Sequence, residues 1–135
     1  MKKKILLIAI SSLILSACIP RLSSNGGSTD SGEYAKGKVV AGFPGLPRYP
    51  KSQVIETIGQ KGSYGGTFVV DKDILKVVKF YNESLPKLGW EVKVRQQSQY
   101  NYLFEIKNSN LYGTVIVNTA ADGETVAISM AASPR

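Results

Sequence analysis

The sequence predicts an α+β domain, a ββα unit followed by a four-stranded antiparallel meander, with the helix packed on one face of a curled sheet. Three observations carry that expectation. Two β-rich runs, Gln53 to Ile58 and Thr67 to Val70, are joined by the glycine-dense segment Gly59 to Gly66. One stretch, from Ile74 to Leu88, has apolar residues at helical spacing. After Gly89 the apolar residues alternate with polar ones through four further runs, and the helical period does not return. A chain of 135 residues suits a single hydrophobic core.

Each element follows in order. The glycine-dense segment reads as the connection of a hairpin; it lacks the Gly-Lys-Ser/Thr ending of a phosphate-binding loop and runs into a strand, not a helix. Asp71 is the expected N-cap of the helix, and Asp73 adds a first-turn carboxylate favoured by the helix dipole. At about 100° per residue, Ile74, Val77, Val78, Tyr81, Leu85 and Leu88 form one stripe, whereas Phe80 falls outside it. Lys72, Lys76, Lys79, Glu83 and Lys87 make the opposite, solvated face. Pro86 should kink or restart the last turn, and Gly89 suits the position that ends it. Trp90, Val92 and Val94 then alternate with Glu91, Lys93 and Arg95, and Tyr100, Tyr102, Phe104 and Ile106 alternate with Asn101, Leu103, Glu105 and Lys107. Leu111 to Thr119 is a longer β-branched run, and Asp122-Gly123 is a tight-turn signal before Val126, Ile128 and Met130 take the inward phase. Loops this short make neighbouring strands antiparallel.

Upstream, Lys2, Lys3 and Lys4 precede an apolar run from Ile5 to Leu15, broken only by Ser11 and Ser12. That run is shorter than the roughly 20 residues a membrane-crossing helix needs, and it suits the apolar region of an export signal over residues 1–17. Leu15-Ser16-Ala17-Cys18 resembles the lipobox of bacterial lipoprotein precursors. The resemblance implies that the Cys18 thiol receives diacylglycerol and that cleavage leaves Cys18 as the new amino terminus. It implies a product anchored to the cell membrane or outer membrane by lipid, facing away from the cytoplasm. One acyl chain binds a bilayer only marginally, and two or three hold a protein there.

Residues 18–42 form the lipidated cysteine and a tether rich in Ser, Gly, Asn and Thr, without apolar periodicity. In Phe43-Pro44-Gly45-Leu46-Pro47-Arg48-Tyr49-Pro50 proline returns at every third position, so a polyproline II strip is expected to brace the start of a domain over residues 43–135. Tyr49-Pro50, Phe80-Tyr81, Leu85 and Gly89-Trp90 resemble a "YP…FY…L…GW" pattern of small exported bacterial domains; the resemblance implies a secreted α+β fold and no activity.

Several function classes drop out on composition. With no histidine and one cysteine, the chain cannot build a His/Cys zinc site, a Ser-His dyad or an internal disulfide. Lysine and arginine total 17 against 10 acids; without the three signal lysines the net charge of +7 becomes +4, too weak a field, outside the cytoplasm, to indicate nucleic acid. Asp71 and Asp73 are better caps than a catalytic pair, and the residues between and after them exclude an EF-hand loop. No metal, cofactor or catalytic residue is expected, and the protein is not expected to be an enzyme. The cluster around Gln97, Gln99 and Tyr100 offers amides and a phenol of the kind that bind sugars. The function expected is thus a lipid-anchored, non-catalytic binding or assembly module at the cell envelope. Its partner is an envelope protein or, in the alternative reading, cell-wall peptidoglycan.

Overall fold

The computed structural model describes residues 32–135. They form one seven-stranded antiparallel sheet crossed by one helix: β1 (Glu33–Lys36), β2 (Gln53–Gln60), β3 (Ser63–Asp71), α1 (Ile74–Lys87), β4 (Glu91–Ser98), β5 (Asn101–Lys107), β6 (Leu111–Thr119) and β7 (Thr125–Pro134). The strand order is β1-β2-β3-β7-β6-β5-β4. This corrects the expected ββα unit followed by a four-stranded meander. The first hairpin is no separate lead-in, because β3 pairs with β7 from Tyr64↔Ala132 to Asp71↔Thr125, and β1 adds a strand from a segment with no apolar period. Pairing with β2 gives β1 its structure, through Tyr34↔Ile58 and Ala35↔Thr57.

The glycine-dense connection is corrected as well. Only Lys61 and Gly62 form the turn, both with positive φ (50° and 80°), as a two-residue turn matching the twist of its strands requires. The other glycines of that run lie within the strands, where close packing explains them. A Cβ on Gly66 would come within 2.9 Å of the Phe68 ring and 3.2 Å of the Thr57 methyl.

Helix α1 carries the chain from β3, in the middle of the sheet, to β4 at the edge. Four strand spacings of about 4.8 Å separate those strands, and a 14-residue helix is roughly 21 Å long, so its length matches the distance to be crossed. Its N-cap is Asp73, whose Oδ1 accepts from the Leu75 N–H at 2.8 Å; Asp71 instead ends β3 and accepts from the Thr125 hydroxyl at 3.3 Å. The helix runs through Pro86 to Lys87, and Gly89 follows at φ 87°. Val77, Tyr81 and Leu85 are fully buried against the sheet.

The covered face has one side-chain row per register step, for example Val94–Phe104–Val115–Met130–Gly66–Thr57–Ala35. The helix lies over only part of it. The rest is covered by the proline-rich lead-in: Phe43 meets Tyr64 and Phe68 edge-on at 5.9 and 6.4 Å, Leu46 is buried, and Tyr49 meets Phe80 edge-on at 5.1 Å. That last contact buries part of Phe80 although it lies off the helical stripe. The Trp90 indole N–H donates to the Gly45 carbonyl at 3.4 Å, tying the lead-in to the start of β4.

Tyr81 sits at the centre, 5.0 Å from the Phe80 ring and 6.2 Å from Phe104, with its hydroxyl buried and, among the described residues, outside hydrogen-bonding geometry to a partner. Burial pushes its phenol well above the ordinary 10.0; the Tyr49 backbone and the Arg48 charge lie close enough to offset only part of that. A raised folded-state value means that the neutral phenol's contribution is complete below about pH 10 and is lost as the pH climbs from there towards the folded value. Tyr81→Phe removes an unpartnered buried hydroxyl. Its thermal midpoint at pH 7 should therefore equal or exceed that of the wild type, and its alkaline unfolding midpoint should move to higher pH, both followed by circular dichroism. A loss of more than about 1 kcal/mol at pH 7 would show that the hydroxyl has a partner after all.

Candidate functional site

The described residues leave the opposite face of the sheet open. Its central row reads Tyr34–Ile58–Gly65–Ala131–Thr114–Glu105–Lys93, and the next reads Lys36–Glu56–Thr67–Ser129–Ile116–Leu103–Arg95. Alternation along each strand produces this face from the residues out of phase with the core. Small side chains on β3 and β7 make a low floor. Tyr34 and Ile58 rise on one side, 58% and 53% exposed, and Tyr112 stands on the other at 56%.

Two shallow depressions flank that floor. One, of about 470 Å³, is lined by Tyr112, Thr114, Glu105, Lys93, Glu91 and Lys107. The other, of about 420 Å³, is lined by Tyr34, Ile58, Gly65, Ala131, Ser63 and Gln60. Charges around the first are arranged in cross-strand pairs. Lys107 Nζ lies 2.9 Å from Glu91 Oε2, and Arg95 lies 3.2 Å from Glu105. The hydrogen bond from Lys107, reinforced by its charge, holds the Glu91 carboxyl below the usual range. At the second, the Tyr34 hydroxyl donates to Glu56 Oε2 at 3.1 Å, and that bond raises the phenol. These pairs are solvent-exposed, so they organise the surface more than they stabilise the fold.

The face can hold a partner by apolar contact at its centre and by polar contact at its ends. Each carboxylate named above faces a cation or a phenol. Among the described residues no group of three or more His, Cys, Asp or Glu could hold a metal ion, and no helix is long and apolar enough to cross a membrane.

The sequence-derived candidates lie elsewhere. Gln97, Gln99 and Tyr100 occupy the exposed tip of the β4–β5 hairpin, next to a register shift between Gln96 and Ser98; Tyr100 is exposed, and Tyr102 turns into the core. None of the three lines either depression. Asp71 and Asp73 are separated by roles at a strand end and a helix cap. Cys18 lies outside the described residues. No local signal marks the open face, because its members are scattered over seven strands and only the register unites them. No family model matches the chain, and no curated protein or solved structure matches it.

Proposed function

We propose that the protein is a lipid-anchored, extracytoplasmic lipoprotein whose domain acts as a non-catalytic binding or assembly module at the cell envelope. The anchor is Cys18, on the strength of the lipobox-like Leu15-Ser16-Ala17-Cys18 behind a charged and apolar signal. The observation that carries the binding role is the asymmetry of the sheet. The helix and lead-in cover most of one face, while the other presents a small-residue floor between exposed Tyr34, Ile58 and Tyr112. Six strand spacings across, and strands mostly seven to ten residues long, give that face on the order of 700 Å², close to what one partner contributes to a standard interface.

Two measurements on membrane-extracted protein test the proposal together. The N-terminal peptide should begin at Cys18 and carry fatty acyl chains; an unmodified residue 18, or residues 1–17 still attached, would remove the anchor. Cross-linking in intact envelopes should give an adduct that Ala131→Arg, which raises a charged side chain from the middle of the floor, abolishes. An adduct of equal yield from that variant would move the binding role off this face.

A further inference from the structure

We propose that β4 is a self-association edge, pairing antiparallel with β4 of a second copy in a register centred on Val92. It requires neither the lipid nor an occupant on the open face, so it stands or fails apart from the function proposed above.

β4 is the last strand of the sheet, and among the described residues nothing pairs with its outer side. Which backbone groups point outward follows from the β5–β6 hairpin. The Asn108 N–H donates to the Leu111 carbonyl, and the Thr119 N–H to the Tyr100 carbonyl, so even-numbered residues of β5 bond towards β6. Odd-numbered residues of β5 then bond towards β4, where they oppose the odd residues 91, 93 and 95. The N–H and C=O groups of Val92 and Val94 therefore face outward, as does the C=O of Trp90, whose own N–H donates to Leu85.

Side chains select the partner and the register. In an antiparallel pair, residues directly opposite each other share a face, so a two-fold axis must pass through a residue of β4. Centring on Lys93 would oppose Lys93 to itself, and centring on Val94 would oppose Lys93 to Arg95, in both cases like charge on like. Centring on Val92 opposes Glu91 to the partner's Lys93, twice by symmetry. Within each chain Glu91 already faces Lys107 and Lys93 already faces Glu105. The resulting row reads Lys107–Glu91 in one copy and then Lys93–Glu105 in the other, with signs alternating throughout.

The same register suits the other face. Val94, 40% exposed, would lie opposite the partner's Trp90 and beside its Leu88, which is 54% exposed at the end of α1. Val92 would pair with itself through two backbone hydrogen bonds, and each Val94 N–H would donate to a Trp90 carbonyl. The Gln96–Ser98 register shift interrupts the ladder at one end and the helix cap at Leu88 ends it at the other, so the contact spans residues 89–95, and the two-fold pairing uses up both β4 edges. The axis runs perpendicular to the sheet, so both open faces point the same way.

Complementary charge variants test this in the full-length chain in mild detergent, by sedimentation velocity over a wide concentration range. The wild type should show a reversible monomer–dimer equilibrium. Glu91→Lys alone and Lys93→Glu alone should each weaken it at least tenfold, because each opposes like charges twice. An equimolar mixture of the two variants should restore association, because every contact in the mixed dimer pairs opposite charges. Unchanged far-ultraviolet circular dichroism and melting of each variant confirm that both remain folded. A zero-length carbodiimide cross-link on mixed ¹⁴N and ¹⁵N wild-type protein should join a light Glu91 to a heavy Lys93. Association through the N-terminal segment would be the same in every sample. Identical sedimentation of the wild type, both variants and their mixture, or the absence of the mixed-isotope cross-link, would overturn the proposal.

Discussion

Gly113→Ala is expected to destabilise the domain by about 3 kcal/mol, lowering its melting temperature on the order of 15 °C. Gly113 lies on the covered face of β6, in register with Ala132 and Ile106. A Cβ there would fall inside the contact shell of the Ala131 carbonyl oxygen, with the Ala131 carbonyl carbon and Ala132 Cα at 2.9 Å. All three atoms are backbone, so no side-chain rotation relieves the collision; β6 and β7 must separate. Those two strands form one of the two central ladders of the sheet, paired from Leu111↔Pro134 to Thr119↔Val126, and a local separation disturbs the Val115 and Met130 packing beside it. Gly45→Ala is the matched control. That position has no atom within 4 Å of the added methyl and no positive φ, so the substitution should leave stability unchanged or raise it slightly. Thermal unfolding of the two variants in parallel decides the matter. A Gly113→Ala variant melting within a few degrees of Gly45→Ala would mean that the two strands do not approach as described.

The sequence made the covered face legible wherever burial and period coincide. Val77, Tyr81 and Leu85 belong to the helical stripe and are fully buried, and the alternation of Tyr102, Phe104 and Ile106 is the alternation of the core. It misled where a neighbour from elsewhere in the chain decides burial. Leu88 continues the stripe but is exposed, because it is the capping residue where the helix ends; Phe80 lies off the stripe but packs under Tyr49. The Gly59 to Gly66 segment read as a loop because glycine usually marks turns, yet the demand for glycine here comes from rings packed over a strand. The strand order was illegible for the same reason. Pairing of β3 with β7 joins residues some sixty positions apart, and no local signal records it. The glutamines and tyrosines at the hairpin tip are clustered in sequence and so are legible there, whereas Gly65, Ala131 and Thr114 become neighbours only through two successive ladders.

Thr57→Val should cost about 2 to 3 kcal/mol although it keeps the shape and adds apolar surface. Thr57 is fully buried on β2, and its hydroxyl is the latch of the lead-in: Oγ1 accepts from the Val40 N–H at 2.8 Å and donates to the Lys38 carbonyl at 2.9 Å. Valine leaves both backbone groups without that partner, and Val40 is itself buried, so its N–H cannot turn to water without opening the segment. Because the segment between Val40 and Tyr49 roofs Phe68 and Phe80, the loss should appear first as local opening, not as a uniform weakening. Hydrogen exchange is expected to accelerate from Lys38 to Ser52 well before it changes in β6 and β7. Thr57→Ser isolates the hydroxyl: it keeps both hydrogen bonds and removes only the methyl that packs near Gly66, at a cost of about 1 kcal/mol. If valine and serine at this position melt together, the hydroxyl does not hold the roof. If valine alone frees the segment between Lys38 and Ser52, one side chain couples the stretch that follows β1 to the core beneath the helix.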